Sequence, residues 1–445
     1  MNNSNNKSMI DRFVDFAGKI ASITYLSVLK DSFTSIIPMF ILAGFGTMFN
    51  SVIFPLFAEG EVLTQLQTFG TLVNNATLNI SGLLVAAMIP YYLSKAKGYD
   101  NFIAAIIVSI GSYFSILPLS IDATVAGSEQ VATVTGAVLF DNIGANGMFA
   151  GIIIGFLATE MLIKLSDIKA LEINLGEGVP PTVSRNFTTL IPVVIVVSLF
   201  ALVSSLLTVL FNTNLIELIA TAVQAPLVNV GSNLFGFLLI FTSGNFLFSL
   251  GIHHSVINSS ILQPIMLVNT NQNMAAASAG QEIPNILDET FRSVYGTIGG
   301  TGSTFALLIA IFLFSKYEPY KQIVKLGVGP GLFNINEPLI FGLPIVFNVP
   351  LMIPFVLAPI LGTLIGYFFI WVGFAAPFTV YIPWTTPPLI NSFLASGGQW
   401  QNVVVQLIII VAQTLLYIPF LRIAERVAKR QAAETESEAT VAEAN

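Results

Sequence analysis

The sequence predicts an all-α polytopic membrane protein with about ten transmembrane helices, re-entrant hairpins and amphipathic interfacial helices. Hydrophobic residues make up 54% of the chain and charged residues only 9%, whereas a soluble domain has about 25% charged residues. The mean hydropathy is +0.81. Apolar runs of about twenty residues recur along the chain, and each is long enough to cross a hydrocarbon core of about 30 Å as a helix.

The residue inventory excludes several kinds of chemistry. The chain has no cysteine, so it cannot contain a disulfide, a thiolate nucleophile, a phosphocysteine or a cysteine-ligated cluster. The N-terminus lacks the pattern of a secretory signal, and we therefore expect the first hydrophobic span to remain in the mature protein. We expect no cofactor, no metal and no nucleic-acid partner.

The first half of the chain is expected to contain an interfacial helix and five spans. Apolar residues in the segment 1–32 recur at helical spacing with charges between them, which predicts a cytoplasmic helix lying at the membrane surface. Residues 33–211 are expected to form a scaffold and dimerisation region. A polar linker at 165–188 precedes its last span. The predicted spans are 33–57, 71–93, 101–119, 147–163 and 190–211.

The second half, residues 212–430, has a less regular pattern and is expected to be the transport region. Its opening stretch is amphipathic, and apolar spans follow near 232–250 and 303–315 and end with 402–421. Proline, glycine and polar residues interrupt the remaining segments, so we expect re-entrant hairpins there. Residues 431–445 are acidic and predict a disordered cytoplasmic tail. The interrupted segments lie near 251–270, 328–345 and 376–396.

The positions of lysine and arginine predict the orientation. All of these residues except Arg292 fall into five groups along the chain. By the positive-inside rule these groups are cytoplasmic, so both termini are expected inside the cell. Between consecutive groups the number of crossings must be even, which gives ten spans if the segment beginning at His253 crosses the membrane.

The strongest functional signal is the stretch Leu326–Pro350, which carries Asn334, Asn336 and Glu337 in an apolar setting. Glycines and prolines break any continuous helix here, and such backbone is tolerated at membrane depth only inside protein or beside a watery cavity. Glu337 could cap a neighbouring half-helix. It could also accept hydrogen bonds from sugar hydroxyls or act as a base. We favour a functional role, which is compatible with capping.

The chain has only two histidines, and they are adjacent at His253 and His254, after Gly251. A histidine in a membrane segment suits hydroxyl recognition or proton exchange. The alternative is a helix-end residue that faces headgroup water or bonds a backbone carbonyl. We favour a functional role for His253 over one for His254.

Two further motifs are candidates. In PWTTPP, Trp384 could anchor the protein at the membrane interface or stack on the apolar face of a pyranose, while Thr385 and Thr386 offer hydroxyl groups. The glycine-rich segment 299–304, GGTGST, has no following lysine, so the Walker pattern fails. Close helix packing is the expected use of these glycines.

Taken together, these motifs resemble the membrane-spanning IIC component of phosphoenolpyruvate-dependent sugar phosphotransferase systems, and the lactose/cellobiose branch in particular. The resemblance extends over essentially the whole chain. It departs from the family at His254, where glycine is common. The motifs are GIH at 251–253, GGTGST at 299–304, GPGLFNINEPLIFGLPIVFN at 329–348, PWTTPP at 383–388 and VPPTVSRNFTTLIP at 179–192.

The resemblance implies a permease of the bacterial cell membrane, with a homodimeric N-terminal scaffold and a C-terminal transport region. It implies a β-linked disaccharide substrate, with Glu337 and His253 as the polar centre of its site and Asn334, Asn336, His254, Trp384, Thr385 and Thr386 around them. The sugar would be phosphorylated at its 6-hydroxyl by a phosphocysteine of the IIB protein, itself supplied by IIA. Because this chain lacks cysteine, we expect that donor to be a separate protein.

Several alternatives stay open at the level of sequence. A proton- or sodium-coupled secondary sugar transporter would use the same broken helices and would employ the His/Glu pair as a proton relay. A receptor or scaffold has no need of an intramembrane carboxylate, so Glu337 counts against it. The sequence does not distinguish cellobiose, lactose and chitobiose as substrates. It also does not decide whether Glu337 or His253 acts as a base or only binds.

Overall fold

The computed structural model of the protein describes residues 23–124, 131–173, 187–343, 345–346 and 348–443, and these are almost entirely helical. The prediction of a helical polytopic membrane protein is confirmed. About ten spans were expected. The described residues contain eight helical segments that are long and apolar enough to cross a membrane, together with the shorter apolar helices Phe102–Ser115 and Leu234–Ser249. The eight are Thr24–Met48, Gly60–Lys97, Met148–Ser166, Leu190–Phe211, Leu215–Ser232, Glu289–Phe314, Val349–Trp371 and Trp400–Glu434.

The described chain divides into two compact units by its contacts. The N-terminal unit ends at Val230, and the C-terminal unit starts at Gly231 and includes the short segment Ser51–Leu56. The sequence analysis placed the boundary earlier, at residues 211 and 212. The N-terminal unit contains α1 (Thr24–Met48), α2 (Gly60–Ala76), α3 (Ser81–Lys97), α4 (Phe102–Ser115), α5 (Phe140–Ile143), α6 (Met148–Ser166), α7 (Leu190–Phe211), α8 (Leu215–Ile219) and most of α9 (Ala225–Ser232), with the strands β1 (Ser120–Thr124) and β2 (Val131–Thr135).

Small residues allow the helices of the N-terminal unit to approach closely. Gly151 of α6 faces the backbone of α3, and a Cβ at Gly155 would lie 3.0 Å from the Ile89 side chain. Helix α4 is linked to α3 by a hydrogen bond in which the Ser109 hydroxyl donates to the carbonyl of Ala86 at 2.6 Å. Such interfaces are typical of membrane helices, whose association depends on close packing rather than on a hydrophobic effect.

One element was not predicted: an antiparallel hairpin formed by β1 and β2. Its register pairs Ser120 with Thr135 and Thr124 with Val131. Most residues of the two strands are β-branched valine, isoleucine and threonine, which favour the extended backbone. The polar composition of this segment predicts a loop, because alternating strand residues carry no helical periodicity.

The C-terminal unit is built from helices that are repeatedly interrupted. Four of its breaks lie at residues 250–254, 297–300, 333–336 and 372–389. Its helices are α10 (Leu234–Ser249), α11 (Ser255–Ile257), α12 (Gln263–Ser278), α13 (Glu289–Phe291), α14 (Thr304–Phe314), α15 (Glu318–Leu332), α16 (Glu337–Gly342), α17 (Val349–Trp371), α18 (Ile390–Ala395) and α19 (Trp400–Glu443), with single π or 3₁₀ turns at Asn258–Leu262, Arg292–Gly296 and Thr301–Ser303.

A buried core holds the interrupted helices of the C-terminal unit together. It includes Phe248, Leu339, Phe355 and Tyr417, which come from α10, α16, α17 and α19. The Tyr417 hydroxyl donates to the carbonyl of Gly302 at 2.6 Å, so the last long helix supports the break at the glycine-rich segment. The break at the glycine-rich segment is thus embedded in protein, as membrane depth requires.

The structure differs from the prediction near both ends of the described chain. The tail expected to be disordered from residue 431 continues as helix α19 to Glu443. The cause is its alanine- and glutamate-rich sequence without glycine or proline, which favours a helix. The predicted interfacial helix 1–32 and the connection 179–192 lie largely outside the described residues. Helix α1 begins at Thr24 and runs without interruption past the expected boundary at residue 32.

Candidate functional site

Asn334 joins three interrupted segments of the C-terminal unit. Its Oδ1 accepts a hydrogen bond from the Gly299 amide at 2.7 Å. Its Nδ2 donates to the carbonyls of Trp384 at 2.7 Å and Thr386 at 3.0 Å. The backbone of Asn334 has φ +60°, a left-handed conformation that asparagine tolerates better than most residues. One buried side chain therefore fixes the glycine-rich segment and the PWTTPP segment to the break before Glu337.

Asn336 makes a second link between the same segments. Its Nδ2 donates to the carbonyl of Thr301 at 2.8 Å and to the Thr304 hydroxyl at 3.1 Å. Gly300, at φ +90°, allows this contact, because a Cβ there would lie 2.7 Å from the Asn336 amide. The sequence analysis expected Asn334 and Asn336 to bind substrate. In the structure both are 6% exposed, and the amide hydrogens of both are engaged by protein.

Glu337 follows directly on these links as the first residue of α16. Its side chain is exposed, and it forms no hydrogen bond or ion pair with any of the described residues. Pro338 at the second helical position needs no backbone N–H partner. The structure therefore presents a carboxylate whose backbone is held firmly while its oxygens remain available.

The two histidines differ in exposure. The His253 side chain is exposed and that of His254 is half-buried. The Nδ1 atom of His253 lies 2.8 Å from the Ser255 hydroxyl and accepts from the Ser255 amide at 3.3 Å. Because a backbone N–H can only donate, the neutral ring carries its proton on Nε2. His253 is thereby oriented with a donor at its Nε2 atom.

Both imidazole rings pack on Phe248, with centroid distances of 5.1 Å for His253 and 5.5 Å for His254. Phe248 in turn contacts Phe355 at 5.9 Å. These two phenylalanines share a core with Leu339 of α16. The histidine segment and the Glu337 helix are therefore attached to one core, although no described hydrogen bond joins the two side chains.

The PWTTPP segment presents an aromatic side chain on a fixed turn. The Thr386 amide donates to the carbonyl of Pro383 at 2.9 Å, and Asn334 holds two carbonyls of the same turn. The Trp384 side chain is 55% exposed, while those of Thr385 and Thr386 are half-buried. The hydroxyls of both threonines form no hydrogen bond with a described residue.

Two features of this region do not follow from the sequence pattern. Segment 299–304 was assigned to helix packing, yet the structure places it within the linked breaks. Glu289 and Arg292 form a buried bidentate ion pair, in which the Arg292 Nε atom donates to Glu289 at 2.8 Å and the second contact involves Nη2. The Gln263 side-chain amide donates to the carboxylate of Glu289, and the Thr270 hydroxyl accepts a hydrogen bond from the Glu289 backbone amide. The spacing of three residues between opposite charges was the available signal.

The arrangement suits recognition of a neutral polyhydroxyl ligand. It combines an exposed carboxylate acceptor, an imidazole donor, an exposed indole face and threonine hydroxyls. Among the described residues no group of three or more histidine, cysteine, aspartate or glutamate side chains could hold a metal ion. The chemistry offered by these side chains is hydrogen bonding, stacking and proton exchange at Glu337.

Comparison with known proteins assigns the chain to a family. The model of the phosphotransferase system EIIC family matches residues 30–359. The oligo-beta-mannoside-specific EIIC component of Bacillus subtilis (strain 168) is 34% identical over 97% of each chain. The cellobiose-specific EIIC component of Geobacillus stearothermophilus is 29% identical over 97% of this chain and 96% of its own.

A solved structure extends the similarity to the fold. The crystal structure of the transporter ChbC, the IIC component from the N,N'-diacetylchitobiose-specific phosphotransferase system, superimposes with a TM-score of 0.88 at 29% identity. The match covers 96% of this chain and 99% of that chain. With its family model, its relatives and its fold in agreement, the chain belongs to the EIIC family of sugar phosphotransferase systems.

Proposed function

We propose that the chain is the permease that binds a β-linked disaccharide of the cellobiose, diacetylchitobiose or lactose class and moves it inward. It presents the 6-hydroxyl of the sugar to a phosphocysteine on a separate IIB protein, which IIA recharges. The N-terminal unit serves as the scaffold of a homodimer in the cell membrane, and both termini face the cytoplasm. The sugars named for the relatives above support this substrate class.

The observation that carries the proposal is the carboxylate of Glu337. It is exposed and free of described partners, and yet it stands on backbone that two buried asparagines hold in place. Because the backbone of this carboxylate is already held in place, little free energy is spent on positioning it when a sugar hydroxyl binds. Glu337 orients or deprotonates the 6-hydroxyl, and the Nε2–H of His253 donates to that hydroxyl or its neighbour.

The proposal can be tested in inverted vesicles that contain the protein and labelled disaccharide. With phosphorylated IIB added, we expect labelled sugar phosphate to appear outside the vesicles, on the face that corresponds to the cytoplasm. Vesicles that lack the phosphoryl donor are the control and should yield none. Accumulation of unmodified sugar under an ion gradient, without any phosphotransferase protein, would instead support a proton- or sodium-coupled transporter and overturn the proposal.

Replacement of His253 by alanine is expected to weaken sugar binding more than replacement of His254. The exposed ring of His253 loses a hydrogen bond to the sugar, for which about 0.5–1.5 kcal/mol or a twofold to tenfold rise in Kd is typical. His254 is half-buried and makes a matched control. Equilibrium binding of labelled disaccharide measures both variants, and the inverse order would assign the site to His254.

Replacement of Trp384 by alanine is expected to lower sugar affinity about twofold to tenfold, because stacking on an aromatic face contributes about 0.5–1.5 kcal/mol. Trp371 is 68% exposed at the end of α17 and offers the matched control. Its replacement should leave the Kd unchanged. Equal Kd values for the wild type and the Trp384 variant would mean that this side chain is an interfacial anchor.

A further inference from the structure

A dense group of positive charges lies on two helices of the C-terminal unit. Helices α15 and α19 both contribute side chains to one buried core, namely Tyr320, Val324, Leu421 and Ala424. A hydrogen bond from Ser315 to buried Glu425 joins the start of this region to α19. We call the following residues the basic face: Lys316, Lys321, Lys325, Arg422, Arg426, Lys429 and Arg430.

Most of these charges are not neutralised. Lys321 lies 3.8 Å from Glu318, and Arg430 lies 3.4 Å from Glu434. The other five are exposed and have no ion pair with a described residue, although the Lys429 Nζ atom lies 5.8 Å from the centroid of the Tyr317 ring. They are Lys316, Lys325, Arg422, Arg426 and Lys429.

Exposed apolar side chains directly follow three of the charged residues in the sequence. Leu326 of α15 is 77% exposed, and Ile423 and Val427 of α19 are 47% and 43% exposed. Arg422 and Arg426 lie one helical turn apart beside the last two. Arginine is enriched at surfaces that bind other proteins, and exposed apolar side chains beside it add area that a partner can bury.

The basic face is connected to the candidate site by α15 itself. Helix α15 ends at Leu332, and after a break of four residues α16 begins at Glu337 and folds back along it. A Cβ at Gly327 would lie 3.0 Å from Leu339, and one at Gly342 would lie 2.8 Å from Ile323. At 1.5 Å per residue, Lys325 is about 10 Å along the helix from Leu332.

The last helix is long enough to carry Arg426 and Arg430 beyond the hydrocarbon region. Residues 400–421 of α19 are about 33 Å long, which already crosses a core of about 30 Å. Arg426 and Arg430 follow by a further turn each. They therefore point to a partner in the aqueous phase rather than to the lipid surface alone.

We infer that the basic face is the docking surface for the phosphoryl-donor protein. The inference rests on the proposed function, because it is the phosphotransferase reaction that requires an anionic phosphoprotein to approach Glu337. The cations of α15 and α19 attract the phosphorylated partner and orient it, and the exposed leucine, isoleucine and valine side chains complete the contact. Attraction between surface charges acts mainly on the encounter and weakens as salt is added.

The test compares charge-reversed variants in vesicles with purified phosphorylated IIB. In Arg422→Glu/Arg426→Glu and in Lys316→Glu/Lys325→Glu we expect the KM for the donor to rise about tenfold or more at low salt. The salt dependence of that KM should become smaller than in the wild type. The Kd for disaccharide should not change, since no substituted residue belongs to the sugar site.

Two controls make the result decisive. Lys164→Glu/Lys169→Glu places the same charge change on two exposed lysines of the N-terminal unit and should leave the donor KM unchanged. Arg422→Gln/Arg426→Gln removes the charges without adding acidic groups, and it should give an intermediate KM with normal sugar binding if the reversed pair folds poorly.

Each outcome has a separate meaning. If the wild type transfers no phosphate from IIB, the proposed function fails and the docking surface with it. If the wild type is active and the reversed variants keep its donor KM and salt dependence, the docking inference alone is wrong. It is also wrong if the variants change activity only in vesicles of anionic lipid, because the basic face would then bind headgroups.

Discussion

Replacement of Glu337 by glutamine is expected to reduce sugar phosphorylation at least about a hundredfold. Glutamine keeps the size of the side chain but has neither its negative charge nor its basicity. The fold should persist, because the Glu337 side chain is exposed and makes no described hydrogen bond that the substitution could remove. The loss of charge at the first turn of α16 costs at most about 1 kcal/mol. Transfer of labelled phosphate from IIB to the disaccharide measures the effect.

The chain provides a closely matched control in Glu318. Like Glu337, it is the first residue of a helix and precedes a proline, and it is exposed. Glu318→Gln should retain transfer. Near-normal transfer by Glu337→Gln would refute a central role for this carboxylate. If transfer is lost while the sugar Kd is kept, Glu337 acts as the base, whereas loss of both identifies it as the acceptor that holds the sugar.

The sequence predicted the membrane class and the position of the unusual carboxylate, because both depend on local composition. Glu337 on proline- and glycine-broken backbone is rare in an apolar chain, and so are the adjacent histidines. The preference for His253 over His254 agrees with their exposures. That preference, like the other assigned roles at the site, stays a prediction.

The hydrogen bonds by which Asn334 and Asn336 link distant segments could not be predicted from the residues next to them in the sequence. The partners of Asn334 lie 35, 50 and 52 residues away, at Gly299, Trp384 and Thr386. Which backbone groups a side-chain amide satisfies is decided by tertiary packing, and no periodicity records it. The same reason explains why the glycine-rich segment 299–304 was assigned to helix packing alone.

Arg292 illustrates a different limit. In the charge pattern it was only an exception to the positive-inside rule, since each lysine and arginine was counted as a free cation. The structure pairs it with Glu289 one turn earlier. A neutralised arginine carries a weaker topological signal than a free one, and pairing between residues i and i+3 should be examined before such charges are counted.

Replacement of Asn334 by aspartate is expected to weaken sugar binding at least about tenfold, although the two side chains have the same shape. Aspartate still accepts from the Gly299 amide, but it has no donor for the carbonyls of Trp384 and Thr386 and places an anionic oxygen against them. Leaving two part-buried carbonyls without their donor costs at most about 1–3 kcal/mol each. The PWTTPP turn should therefore detach from the break at residues 333–336, and the Trp384 side chain should lose its fixed position. Sugar Kd and thermal unfolding measure the change.

Two further variants separate this mechanism from general damage. Asn233 caps α10 only through its Oδ1 atom, which accepts from the amides of Phe235 and Gly236, so Asn233→Asp should bind sugar normally. Glycine adopts φ +60° without strain. Asn334→Gly therefore removes the side-chain hydrogen bonds to Gly299, Trp384 and Thr386 without adding a charge. Its Kd for the sugar should fall between those of the wild type and Asn334→Asp. Wild-type affinity in Asn334→Asp would show that the link does not hold the site. The expected order would instead show that sugar affinity depends on a buried amide whose hydrogens are both used by the protein.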